Sequence, residues 1–208
     1  MIRKFAKAAA VVATLAALAA PSAHATIGYA DVVLFYFDSG AGPFAGPYGG
    51  TLASFPVAVS TSVVLGSDIA GSEDFLSLPT GSYVTVGFTD EVVIDGVGND
   101  IFIQEIGLAD EKADVFVSSD GGASFTFLGV ASSATTTAFD LASIGYTSAV
   151  NAIKIVGKDA LGGSPGFDLA NVQVLPGSIG VVPEPGSLAL ALLSLGALGA
   201  LGRRGTRA

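Results

Sequence analysis

Ser82-Tyr83-Val84-Thr85-Val86-Gly87-Phe88 decides the class of the body. Val84, Val86 and Phe88 occupy every second position, and successive side chains of a strand face opposite ways, so this stretch is a strand with one apolar face. Outward from it, residues 32–37, 101–106, 113–118, 125–128, 152–156 and 169–174 are short runs rich in Val, Ile, Leu and Phe. Clusters of Gly, Pro, Asp and Ser part them at intervals of roughly ten residues, the spacing of a sandwich. No long helical period intervenes. One short turn is expected over residues 140–144, with Asp140 as its N-cap. The pattern predicts an all-β body of about eight to ten strands in two sheets, most like a jelly roll. Residues 40–50, with Pro43 and Pro47, and residues 162–166 read as irregular loops at the ends of such a sandwich, where binding surfaces sit.

Charge is distributed unevenly along the 208 residues. Arg3, Lys4 and Lys7 lie at the start and Arg203, Arg204 and Arg207 at the end, whereas residues 26–182 hold seventeen acidic residues and three lysines, a net of −14. An acidic surface repels phosphate backbones, which argues against nucleic-acid partners, and it suits hard cations such as calcium. The same segment contains no His, Cys, Met, Trp or Arg. Zinc sites need His or thiolate ligands, and Ser-His-Asp or Cys-His nucleophiles need their base, so neither is expected. Disulfides are excluded, and a body of this length buries a full core without them.

Residues 1–25 have the three parts of a secretory signal. A basic start precedes the apolar run Ala8 to Ala20; Pro21 breaks that run, and Ala23-His24-Ala25 is a small-x-small site for signal peptidase cleavage before Thr26. At the other end, Val182-Pro183-Glu184-Pro185-Gly186 is followed by the apolar stretch Leu188 to Leu201 and then Arg203-Arg204. The prolines form an extended spacer. The stretch is shorter than a full bilayer span, with arginines placed to stay cytoplasmic. This order of motif, short helix and basic tail resembles the PEP-CTERM sorting domain of exported bacterial proteins. The resemblance implies recognition by an exosortase, transient residence in the inner membrane through the C-terminal helix, and release or retention at the cell surface or in the extracellular matrix after C-terminal processing. The expected division is therefore 1–25 signal, 26–179 sandwich, and 180–208 linker and sorting signal.

Two loops carry candidate chemistry. Ser118-Ser119-Asp120-Gly121-Gly122-Ala123-Ser124-Phe125 looks like an Asp-box. A single copy without an arginine cluster reads as a hairpin turn, with Asp120 accepting backbone hydrogen bonds and the glycines supplying positive φ. Asp95-Gly96-Val97-Gly98-Asn99-Asp100, with Glu105 beyond it, offers oxygen ligands around glycines, so Asp95, Asn99, Asp100 and Glu105 are the candidate calcium ligands. Asp159, Asp168 and Asn171 recur near the second glycine-rich loop and join that site if strand pairing brings both loops to one end. Asp and Asn also favour turns without any ion. Gly98-Asn99-Asp100 with Glu105, Val117 to Gly121, Phe139-Asp140-Leu141-Ala142 and Gly166-Phe167-Asp168-Leu169-Ala170 resemble β-sandwich modules of bacterial cell-surface proteins. That likeness implies an extracellular domain without an established catalytic role.

No catalytic residue is assigned. The expected function is a non-catalytic surface or matrix protein associated with exopolysaccharide, in which Tyr36, Tyr48, Tyr83 or Phe44 could stack on sugars and calcium could assist. The alternatives are a glycosidase or lyase using two carboxylates, or a purely structural assembly subunit.

Overall fold

The computed structural model describes residues 28–66, 74–107, 110–132 and 136–182. The signal-peptide residues Ala23, Ala25 and Thr26 lie outside them, as do Pro183, Glu184, Pro185 and the apolar stretch that follows. Among the described residues no helix is long and apolar enough to cross a membrane.

The strands are β1 (Val32–Phe37), β2 (Tyr48–Thr51), β3 (Ser54–Ala58), β4 (Phe75–Leu78), β5 (Tyr83–Gly87), β6 (Glu91–Val93), β7 (Ile101–Glu105), β8 (Lys112–Ser118), β9 (Thr126–Ser132), β10 (Thr137–Phe139), β11 (Ala152–Gly157), β12 (Phe167–Val174) and β13 (Ile179–Val181). One sheet has the order β1-β5-β11-β8-β9 and the other β10-β7-β12-β4-β2-β3, with β13-β6 a separate pair. The ladders are antiparallel. From β9 to β12 the chain crosses between sheets at each step, as in a jelly roll. The expected all-β sandwich is therefore present, with more strands than anticipated. Residues 40–50 are not wholly irregular, because their last three open β2.

The core lies between the sheets. Val84 and Val86 face it from β5, Ile153 and Ile155 from β11, and Val115 and Val117 from β8, all fully buried. Ile101, Ile103, Leu76, Leu78 and Val172 meet them from the second sheet. Each such side chain contributes about 1.5–3 kcal/mol relative to exposure. Pro56 lies in β3, an edge strand, where its missing N–H breaks no central ladder.

Two bulges shape the outer face of the five-stranded sheet. Strict alternation through Val32–Phe37 would set Leu34 with Tyr36. The register shift between Val33 and Phe35 instead leaves Leu34, Phe35 and Phe37 exposed, while Val33 and Tyr36 pack on the core. A shift in β9 opposite Val115 and Phe116 likewise buries Leu128 and exposes Phe127 and Val130. The Asp120 hairpin joins β8 to β9 with Gly121 and Gly122 at positive φ. Asp120 accepts from the Ser124 amide (2.9 Å) and hydroxyl (2.6 Å) and from the Ser118 hydroxyl (2.7 Å), which hold its carboxyl well below the usual range. It behaves as a structural turn.

Candidate binding site

A cavity of about 370 Å³ opens where the β2–β3 hairpin, the β7–β8 connection and the β11–β12 loop meet. Leu52, Phe55, Phe75 and Ile106 form its apolar wall, and Gly107, Glu111, Gly162, Gly163, Ser164 and Asp168 complete it. Phe55 is half-exposed on edge strand β3 and tilts against buried Phe75, with ring centroids 6.1 Å apart. Asp168, near the start of β12, accepts a 2.5 Å hydrogen bond from Ser77 of β4, whose hydroxyl also meets that of Ser164 at 2.7 Å. The cavity lining thus combines apolar side chains with the Ser164 hydroxyl and two carboxyls, and its volume is inside the range of small-molecule sites.

Glu105, Glu111 and Asp168 are each less than a tenth exposed. Burial, then the neighbouring Glu105 carboxylate, pushes Asp168 up to about 8 against the stabilising Ser77 bond. Burial is also the main cause that raises Glu111, followed by the charges of Asp168 and Glu105 and a hydrogen bond to Glu105. Crowding of the three carboxyls out of water favours the protonated form of Asp168 and Glu111. Two glycines make the room. A Cβ on Gly107 would stand 2.6 Å from Glu105 Oε1, and one on Gly162, at φ +80°, 2.3 Å from Glu111 Oε1. A neutral carboxyl both donates and accepts, which matches hydroxyl-rich ligands.

The anticipated calcium quartet is divided. Asp100 precedes β7 and Glu105 ends it, a separation of about 16 Å at strand rise. Glu105 joins the cavity, Asn99 is exposed in the loop, and Asp95 and Asp100 come together with Asp140, with carboxylate oxygens within 4.8 Å of one another. The register pairs Leu169 with Glu105 and Val174 with Ile101, so the Asp95–Asp100 loop and Asp168 occupy opposite ends of β7 and share no site. Asn171 is not a partner of either loop; its amide donates to Gln104 at 2.8 Å. Asp159 lies nearer the cavity, accepting from the Lys112 amide and adding its charge to the field on Glu111.

Asp100 is fully buried and already occupied. Its Oδ1 accepts from the Gly96 amide (2.8 Å) and the Ser178 hydroxyl (2.6 Å), and its Oδ2 from the Leu141 amide (2.7 Å). Asp140 accepts from the Ala142 amide as the N-cap of the 3-10 turn Leu141–Ile144, as expected. Calcium takes six to eight oxygens, so an ion here would depend on Asp95, the second oxygen of Asp140 and water. The arrangement reads first as turn and cap chemistry.

The aromatic assignments also change. Tyr48 has no exposed surface, and its hydroxyl donates to the Pro165 carbonyl, so it is a core residue and not a sugar platform. Phe44 packs edge-on against Tyr48 but stays half-exposed, whereas Tyr36 faces inward. Tyr83 does reach the surface, between Phe35 and Phe37. Glu111, Phe55 and Phe75 escaped the sequence reading. Asp110-Glu111-Lys112 has the composition of a solvated turn, and nothing local marks Glu111 as buried.

Residues 181–207 match the PEP-CTERM protein-sorting motif, which implies export and exosortase-dependent sorting to the cell surface. No curated protein matches the chain. Among solved structures the chain is similar to the C-terminal domain of a chitobiase from Bacteroides fragilis, at 11% identity and a TM-score of 0.44, covering 77% of this chain and 99% of that one. It is also similar to the CBM32 of AlyQ in complex with 4,5-unsaturated mannuronic acid, at 13% identity and a TM-score of 0.40, covering 68% and 98%. A glycoside hydrolase family 43 arabinoxylan arabinofuranohydrolase from Bacillus subtilis, in complex with cellotetraose, is matched at 16% identity and a TM-score of 0.33, over 52% and 22%. At these scores none of the three bears on ligand or activity.

Proposed function

We propose that this is a sorted surface or matrix protein whose sandwich body binds exopolysaccharide without catalysis, and that the cavity beside Phe55 takes a sugar unit of that polymer. The observation that carries this reading is the pairing, in one cavity, of the half-exposed Phe55 ring with the buried carboxyls of Glu111 and Asp168. A sugar ring has apolar C–H faces and a rim of hydroxyls, and the cavity lining offers apolar and polar partners for them. Ser77 and Ser164 hold Asp168 in place before any ligand arrives, which lowers the ordering cost of binding.

The test is calorimetric titration of the purified chain with the host's exopolysaccharide and its oligosaccharide fragments, in calcium and in chelator. Phe55→Ala is expected to weaken binding about tenfold, the loss of one stacked ring at about 1.4 kcal/mol. Its thermal midpoint should change little, because the ring is half-exposed. Undiminished binding by Phe55→Ala would remove the cavity from the reading. Loss of binding in chelator would point instead to an ion at Asp95, Asp100 and Asp140.

A further inference from the structure

The outer face of the five-stranded sheet carries a second feature, independent of the cavity. Register places Phe35, Thr85, Lys154, Phe116 and Phe127 in one row across all five strands. At strand spacing that row is about 19 Å long. Phe35 and Phe37 flank Tyr83 at centroid distances of 5.8 and 5.3 Å, and Phe116 meets Phe127 at 5.4 Å. In the middle, the Lys154 ammonium lies 4.2 Å from the Phe125 ring centroid, 4.7 Å from Phe116 and 5.6 Å from Tyr83. The Asp120 hairpin brings Phe125 to that position, with Gly122 beside both Phe125 and Thr85.

Charge on this face runs against the rest of the body. Lys112 pairs with Asp110 and Lys158 with Asp114, but Lys154 forms no ion pair among the described residues. Asp114, the carboxylate among the outward side chains of β8, is neutralised by Lys158 at 2.6 Å. Asp38, just past Phe37, accepts from the Gly40 and Gly46 amides, and Asp120 is held within its hairpin. A partly exposed cation held by ring faces, with no carboxylate of its own, is therefore left in a segment of net −14.

Area decides between occupants. Phe35, Phe37 and Phe127 are each about half-exposed. At roughly 200 Å² per ring, and with Leu34 and Val130 also exposed on this face, the apolar surface is on the order of 400 Å², below the apolar share of a stable interface of ~800 Å² per partner. A second copy, equally acidic, gains too little there. A polymer gains by repetition, since each added unit binds at high effective concentration.

We propose that this face binds a carboxylate-bearing polysaccharide chain laid across the strands. Ring faces take the apolar sides of successive sugar units, and Lys154 takes a uronate carboxylate.

The test is affinity electrophoresis and calorimetry of the purified chain with polygalacturonate and with the same polymer after reduction of its carboxyls. Binding to the acidic polymer should fall with added salt and should weaken about tenfold in Lys154→Gln, while Lys154→Arg retains it. Phe35→Ser and Phe127→Ser, on either side of Lys154, should each weaken it; two sites guard against one variant misfolding. Val97→Ser, fully exposed in a loop that belongs to neither the cavity nor this face, should leave it unchanged. Equal binding of the reduced polymer, or undiminished binding by folded Lys154→Gln, would overturn the proposal. So would sedimentation that rises with protein concentration and is abolished by Phe35→Ser, since a second copy would then cover the face.

Discussion

Asp100 is a carboxylate with no exposed surface that serves three donors from three separate segments: Gly96 in its own loop, Leu141 at the start of a 3-10 turn, and Ser178 before β13. Removing it leaves the buried Leu141 and Ser178 donors without an acceptor, at about 1–3 kcal/mol each, and also the half-buried Gly96 amide. Asp100→Ala is therefore expected to lower unfolding free energy by about 3 kcal/mol or more in chemical denaturation, with or without calcium. Asp95→Ala, at an exposed position, should leave it within about 0.5 kcal/mol. Equal losses for both variants, present only when calcium is supplied, would mark a metal site in place of a staple. Tyr48 teaches the same lesson in reverse. It lies in the stretch read as an irregular loop and was a candidate sugar platform, yet Gly42 packs against the ring and Pro165 accepts its hydroxyl hydrogen.

At the scale of elements, the bulges and the close approaches between strands do most to set function. The β1 bulge assigns Leu34, Phe35 and Phe37 to one face. Without it, a two-residue period would bury part of the row that flanks Lys154. Where β11 ends, Gly157 exchanges backbone hydrogen bonds with Gly81 and Ser82, and a Cβ there would stand 1.8 Å from the Leu78 carbonyl oxygen. That oxygen belongs to the backbone of β4, so the neighbour cannot rotate away. Gly157→Ala is expected to cost about 1–3 kcal/mol, read as a lower thermal midpoint. Because β4 also carries Ser77, the same variant should weaken ligand binding at the cavity. An unchanged midpoint would show that the two sheet ends separate freely.

For the whole molecule, the buried carboxyls of the cavity set a pH dependence. Asp168 shifts from 3.8 to about 8 on folding, and Glu111 moves in the same direction. The folded protein therefore binds more protons than the unfolded chain between those values, so stability falls as pH rises through this window. A plot of thermal midpoint against pH should slope downward from about pH 4 to about pH 8, and Asp168→Asn should flatten it because an amide stays neutral. An upward slope in wild type would mean that the cluster ionises readily. Self-repulsion in the acidic body adds to the fall and is screened by salt, whereas the buried contribution persists at high salt.

The amino-acid sequence by itself determined the class and the address. Period-two alternation in Ser82–Phe88, the apolar run of Val32–Phe37 and the Asp-Gly-Gly hairpin are local features, and local features suffice to make strands and turns. The Pro-Glu-Pro motif, apolar stretch and basic tail are likewise contiguous, so the sorting signal is legible without a fold. Short strands such as β2, β6 and β13 were not legible, because Gly-rich or three-residue segments become strands only when a partner supplies the hydrogen bonds. Both candidate sites depend on tertiary structure for a similar reason. Glu105, Glu111 and Asp168 meet through the register of β7, β12 and β4, and Phe35 lies in line with Lys154 and Phe127 only because two bulges shift the pleat. Distances between residues a hundred positions apart are set by strand order and register, and neither is written in any one segment of the chain.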